Sequence, residues 1–156
     1  MHERTHMNKF ARILLAVAAT AAAVPAMAQF QKPEDAVKYR QNAFFVMSQH
    51  FGRLGAMANG KMPFDAKVAA ENAAIVETLS KLPWAGFMPG TESIKSNAKP
   101  EMWTEKAKFD QGSEKMRGEV TKLAAAAKMG NLDALKAAFG DTAATCKACH
   151  DSYKVK

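Results

Sequence analysis

Cysteine is nearly absent. The chain has two in 156 residues, which rules out a small scaffold held by disulfides. Six prolines and nine glycines are too few for a collagen-like or disordered chain, or for the many tight turns of a β-sandwich. Residues branched at Cβ are sparse against abundant alanine, which favours helix over strand. No internal repeat, low-complexity tract or strand-like alternation is present. The lysines are scattered, without a basic stripe interleaved with aromatics, so a nucleic-acid face is not indicated. The length suits one ordinary domain and leaves no room for a two-domain enzyme.

What is there begins with a secretory leader over residues 1–28. Lys9 and Arg12 precede an uncharged run from Ile13 to Val24, Pro25 breaks it, and Ala26-Met27-Ala28 forms a small-x-small cleavage site. The run is too short for a membrane span, which needs roughly 20 residues. Met7 stands where a typical leader would start. Cleavage predicts a periplasmic domain over 29–156. It removes Arg4, Lys9 and Arg12 together with Glu3, lowering the net charge from +7 to +5. No later segment is apolar enough to span a membrane.

Proline and glycine divide the exported part into four amphipathic stretches. The first covers about 34–59, with Val37, Phe44, Met47, Phe51 and Leu54 on alternating steps of three and four. The second covers about 64–82, with Val68, Ile75 and Leu79 in register and Pro83 as its stop. A loop over 83–100 carries Trp84 and Phe87. The third stretch starts at Pro100, carries Phe109, Met116, Val120 and Leu123, and ends near Gly130. The fourth starts behind Asn131 as N-cap, and its seam runs Leu132, Leu135, Phe139, Thr142, Cys146, Cys149. Four such helices with short connections predict an all-α, antiparallel four-helix bundle. Gly140 interrupts the fourth helix, at a cost of about 1 kcal/mol against alanine, and would allow a close approach by a helix or a ligand.

Both cysteines fall in Cys146-Lys147-Ala148-Cys149-His150, the signature of covalent c-type haem attachment. Thiols at i and i+3 on a helix point the same way and reach the two vinyl groups on one porphyrin edge. The following imidazole, turned by about 100°, comes under the ring as axial iron ligand. A thioredoxin-like site would need a βαβ setting. Zinc would need a fourth ligand, and His50 is the only other histidine after the leader. A disulfide within the motif is a further alternative. Export agrees with haem attachment, because in bacteria it takes place outside the cytoplasm. The prediction is one covalent haem c per chain. Only six residues follow His150, and no methionine is among them, so any sixth iron ligand must come from an earlier helix.

With the opening Gln29-Phe30-Gln31-Lys32-Pro33-Glu34-Asp35-Ala36, the runs Tyr39-Arg40-Gln41 and His50-Phe51-Gly52-Arg53, then Leu82-Pro83-Trp84-Ala85-Gly86-Phe87, Pro89-Gly90-Thr91 and Ala138-Phe139-Gly140-Asp141, the exported chain resembles the cytochromes c′ along its whole length. The resemblance implies a dimeric periplasmic four-helix haem protein. Its iron would be five-coordinate and high-spin, with an apolar distal face that takes NO or CO and with electron transfer as a further capacity. The family usually carries arginine four residues after the haem histidine. Here Lys154 stands there, a single mobile charge in place of a planar fork.

The register places Arg40 on the first seam between Val37 and Phe44. A charge there needs a partner, either a haem propionate or a carboxylate at the seam's edge. The resemblance also favours the propionate, with Gln41 beside it. It places Phe44 over the iron, where an apolar ring offers no hydrogen bond to bound O₂. Met47, one turn on, is the rival, because a thioether there would make the iron six-coordinate and low-spin and the protein an electron carrier. Trp84 and Phe87 are expected to wall the distal pocket or cap the bundle's end. Trp103 is expected in the core or at a dimer contact. His50 is expected as a surface or satisfied histidine, and Thr142 as bonded back to its own helix. Peroxidase-type catalysis would want an acid–base histidine or arginine over the iron. None lies on the expected distal stretch, so the expectation is a non-enzyme. The redox partner is open.

Overall fold

The computed structural model describes residues 29–155. The expected leader over 1–28 lies outside them. Helix α1 is Pro33–Ala58, with proline at its first turn and Glu34 and Asp35 suited to the positive end of the helix dipole. Helix α2, Ala66–Leu79, starts on Asp65, whose carboxylate accepts from the Val68 amide at 2.9 Å. A 3₁₀ turn follows at Pro83–Gly86. The third stretch is divided. Short α3, Glu101–Thr104, is separated from α4, Lys106–Lys128, by Glu105, whose backbone departs from helix at φ −110°, ψ 35°. Asn131 caps α5, Leu132–Tyr153, by accepting from the Ala134 amide at 2.9 Å. Gly60 and Gly130 turn the chain at positive φ of 68° and 65°, conformations that favour glycine.

Among the described residues α1, α2, α4 and α5 form the four-helix bundle. Successive partners pack closely, and α1 meets α5 more sparsely. The two ends of the bundle differ. One is filled by a solid core of Leu54, Met57, Ala69, Ala73, Val76, Leu123, Ala127 and Leu135. The other, built from the first half of α1, the start of α4 and the last turns of α5, surrounds a cavity of about 600 Å³. This division explains why Val37 and Leu54 on the α1 seam are buried while Phe44, Met47 and Phe51 between them are only half-buried.

On α2 the buried face is Ala69, Asn72, Ala73 and Val76. The expected seam lay one residue away, and Ile75 is 38% exposed. Small alanines let neighbouring helices approach closely, and Asn72 is tolerated because it is fully engaged. Its amide donates to Val68 O at 2.7 Å, and its oxygen meets His50 Nδ1 at 2.9 Å. Gly140 has open space where a Cβ would stand. The close approach occurs instead at Gly55, where a Cβ would lie 2.7 Å from the Phe139 ring.

The 3₁₀ turn is pressed against α1. A Cβ on Gly86 would stand 2.5 Å from Ala36 O and 2.8 Å from Arg40 Cβ. Gly86→Ala is therefore expected to destabilise the fold by about 1–3 kcal/mol, as overpacking does, with a fall of several degrees in Tm. An unchanged melting curve would show that the turn moves away from α1 at no cost.

Candidate haem-binding site

The cavity lies between α1 and α5, and one of its lining residues, Phe51 of α1, stacks on Phe139 of α5 with centroids 4.5 Å apart. Every site residue anticipated from the sequence lines it: Arg40, Gln41, Phe44, Met47, Trp84, Phe87, Cys146, Cys149, His150 and Lys154. They come from α1, the 3₁₀ turn and its exit, and α5, elements brought together only by the fold.

The α5 wall carries the chemistry. Both cysteines are free thiols and partly buried. Burial raises the pKa of each, and for Cys149 the neighbouring Cys146 adds to the effect, so both are held as neutral thiols. The His150 pKa is lowered, first by desolvation and then by the charge of Lys154, against a smaller opposing pull from Asp151. The neutral imidazole, the form that can ligate a metal, is thereby favoured. Among the described residues no group of three or more His, Cys, Asp or Glu is placed to hold a metal ion, so the zinc alternative has no donor set there.

The α1 side is a set of interlocked rings. Phe44 stands edge-on to Trp84 at 5.6 Å and to Phe87 at 6.3 Å. Trp84 and Phe87 both contact Phe109, at 5.8 and 4.9 Å. The indole N–H of Trp84 donates to Ser80 O at 2.7 Å, fixing its ring. Met47 packs against the solid core as well as lining the cavity.

Arg40 is 2% exposed. Its guanidinium donates to Gly86 O at 2.8 Å and to the hydroxyls of Thr91 and Ser96 at 3.1 Å each. It lies 4.4 Å from the Phe87 ring centroid and 5.7 Å from that of Trp103. All three acceptors are neutral, and no carboxylate among the described residues pairs with it, so the seam-edge alternative is not realised. The Trp103 indole N–H, on the ring beside this guanidinium, is buried without an acceptor among the described residues. Arg40 lines the cavity, and a buried cation there without a carboxylate partner fits an anionic group such as a carboxylate. With two thiols and an imidazole on the facing helix, and a volume within the roughly 300–1,000 Å³ of cofactor clefts, the residues fit a covalently attached haem.

Several lining residues were not anticipated, among them Phe45, Ser48, Met102, Gly112 and Thr145. Tyr153 lines the cavity one turn beyond Cys149, a position that spacing along α5 could have indicated. Its hydroxyl donates to Glu105 at 3.0 Å and its ring stands edge-on to Phe109. Ser96, Asn97 and Ala98 also line it, and nothing local in the sequence marks them. They are held by pairing with the end of α5, where the Lys99 amide donates to Tyr153 O and the Val155 amide to Asn97 O, each at 2.9 Å. Thr142 bonds to Ala138 O on its own helix at 2.8 Å, as expected, and also to Glu119 O of α4 at 3.2 Å.

A four-helix bundle whose last helix presents Cys-x-x-Cys-His to an apolar cavity defines a bundle-type c haem protein. A sequence profile of the family described as Cytochrome C' matches residues 35–154. The chain is 54% identical over 129 residues to the cytochrome c′ of Rubrivivax gelatinosus, covering 82% of this chain and 100% of that protein. It is 51% identical over 128 residues to the cytochrome c′ of Alcaligenes xylosoxydans xylosoxydans, covering 82% and 99%. The crystal structure of the Rubrivivax gelatinosus cytochrome c′ superposes with a TM-score of 0.79 at 53% identity, covering 81% of this chain and 100% of that one. A nitric oxide complex of a single-site variant of the Alcaligenes xylosoxidans protein gives 0.77 at 49%, covering 82% and 99%. The chain belongs to the cytochrome c′ family, whose proteins carry a covalently bound haem c. No helix among the described residues is long and apolar enough to cross a membrane.

Proposed function

We propose that this chain is a periplasmic binder of NO and CO, with one haem c held by Cys146 and Cys149 and its iron ligated by His150 alone. The observation that carries the reading is the make-up of the cavity between α1 and α5. Thiols and imidazole lie on one helix, and the rings of Phe44, Trp84 and Phe87, none of which can ligate iron, face them from the other elements. The haem supplies an iron with one coordination position for a diatomic ligand. Arg40, with Gln41 beside it, anchors the carboxylate side. Lys154 keeps a positive charge near His150. The ring wall is apolar, and its one N–H, that of Trp84, is held by Ser80 O, so no donor is left for bound O₂, which disfavours O₂ relative to CO and NO. The relative solved as a nitric oxide complex supports the choice of ligand.

The lining also supports a role without catalysis. Among the described residues His150 is the only histidine on it, His50 is engaged with Asn72, and Arg40 is turned to the loop and the carboxylate side. The homodimer reading is supported by Phe45, Val46 and Ile75 on the first two helices, exposed at 63%, 42% and 38%.

The test is the optical spectrum of the purified holoprotein, ferric and ferrous, before and after CO. The expected result is a high-spin ferrous spectrum that converts on adding CO. A second reading has Met47, which lines the same cavity, as sixth ligand and the protein as an electron carrier. A low-spin spectrum that Met47→Ala turns high-spin would establish that reading and remove the first.

A further inference from the structure

We infer that Gly112 keeps a second passage open into the haem cavity, between α4 and α5, through which diatomic ligands exchange. The inference rests on the gas-binding reading and adds the route. Outside the cavity, along the α4–α5 seam, runs a solvent-facing groove of about 540 Å³. Cavity and groove share four lining residues, Gly112, Thr145, Cys149 and Tyr153. The last three stand four apart on α5 and form one ridge. Of the four, only Gly112 belongs to α4, and with no side chain there the partition between cavity and groove is thinnest at this residue.

The glycine is not explained otherwise. It sits inside α4, where glycine costs about 1 kcal/mol against alanine. It is not among the glycines at positive φ, and a Cβ built on it meets nothing within 4 Å, so no close contact demands its absence. Gly118 is also helical with open space around it, but it lines neither space, which makes it the control. The partition is also poor in free polar groups. The Thr145 hydroxyl donates to Thr142 O at 2.7 Å, and the Tyr153 hydroxyl is held by Glu105. Such a gap suits a small apolar molecule better than an ion. On the α1 side, by contrast, the rings of Phe44, Trp84 and Phe87 brace one another.

The test compares CO association and dissociation rates of the ferrous holoprotein with those of Gly112→Ala, Gly112→Leu and the control Gly118→Leu. A side chain in a passage obstructs both directions. For Gly112→Leu both rates are expected to fall together by about tenfold, leaving the Kd unchanged. Gly112→Ala should fall less, and Gly118→Leu should match the parent. Unchanged rates at 112 overturn the inference. So does a change confined to Kd, which would mean that residue 112 touches the bound ligand or the haem. Xenon under pressure in crystals of the unmutated holoprotein gives a readout independent of the variants and of iron chemistry. Xenon is expected between Gly112 and Cys149, and its absence there also overturns the passage. A ferrous protein that binds no CO removes the gas-binding reading, while the xenon position still decides whether the opening exists.

Discussion

Replacing both Cys146 and Cys149 by serine is expected to abolish covalent haem, so that acidified organic solvent extracts all the pigment from the double variant and none from the parent. Both thiols lie on the cavity wall, are free, and are held neutral by burial. Serine keeps the size but lacks the sulfur that forms the thioether. Each single variant should retain haem through one link. The apoprotein end of the bundle should also loosen, because the half-buried Phe44, Met47 and Phe51 then face a cavity with nothing fixed in it. Retention of unextractable haem by the double variant would show that the motif is not the attachment site.

The second large effect is expected at Phe44. In Phe44→Ala the CO association rate of the ferrous protein should rise by about ten- to a hundredfold. Phe44 touches Trp84 and Phe87 edge-on. Swinging it aside breaks two aromatic contacts worth about 0.5–1.5 kcal/mol each, and every 1.36 kcal/mol of barrier is tenfold in rate. Trp84 and Phe87 should hold their places without it, since Phe109 and the Ser80 carbonyl secure them. Stopped-flow mixing with CO checks the rate. A rate equal to the parent's would place Phe44 outside the ligand's path.

The fold was legible where the sequence uses large side chains and punctuation. Pro33, Pro83, Gly130 and the cap Asn131 bound the helices, whereas the cap Asp65 emerged only from the structure. The alternating steps of three and four identified the inner face of α1, including buried Arg40. Where alanine does the packing, the periodicity of larger residues misleads. Ala69 and Ala73 form the real seam of α2, and Ile75 is turned outward. The break at Glu105 was hidden because the chain continues helically on both sides of it. The α5 part of the site was legible as a motif, and Arg40 as a misplaced charge. Ser96–Ala98 were not, because their place depends on backbone pairing with the end of α5, which carries no residue signature.

That pairing has a consequence for local opening. The final turn of a helix ordinarily frays, its last carbonyls being unsatisfied. Here the turn that carries His150 is tied down beyond its own end. Tyr153 O and Asp151 O accept from Lys99, and Ala98 bridges Lys154. To unwind, α5 must release the loop across from it. The amides of Lys99 and Val155 are therefore shielded from solvent deuterium by the same event, and the two segments exchange as a single cooperative unit.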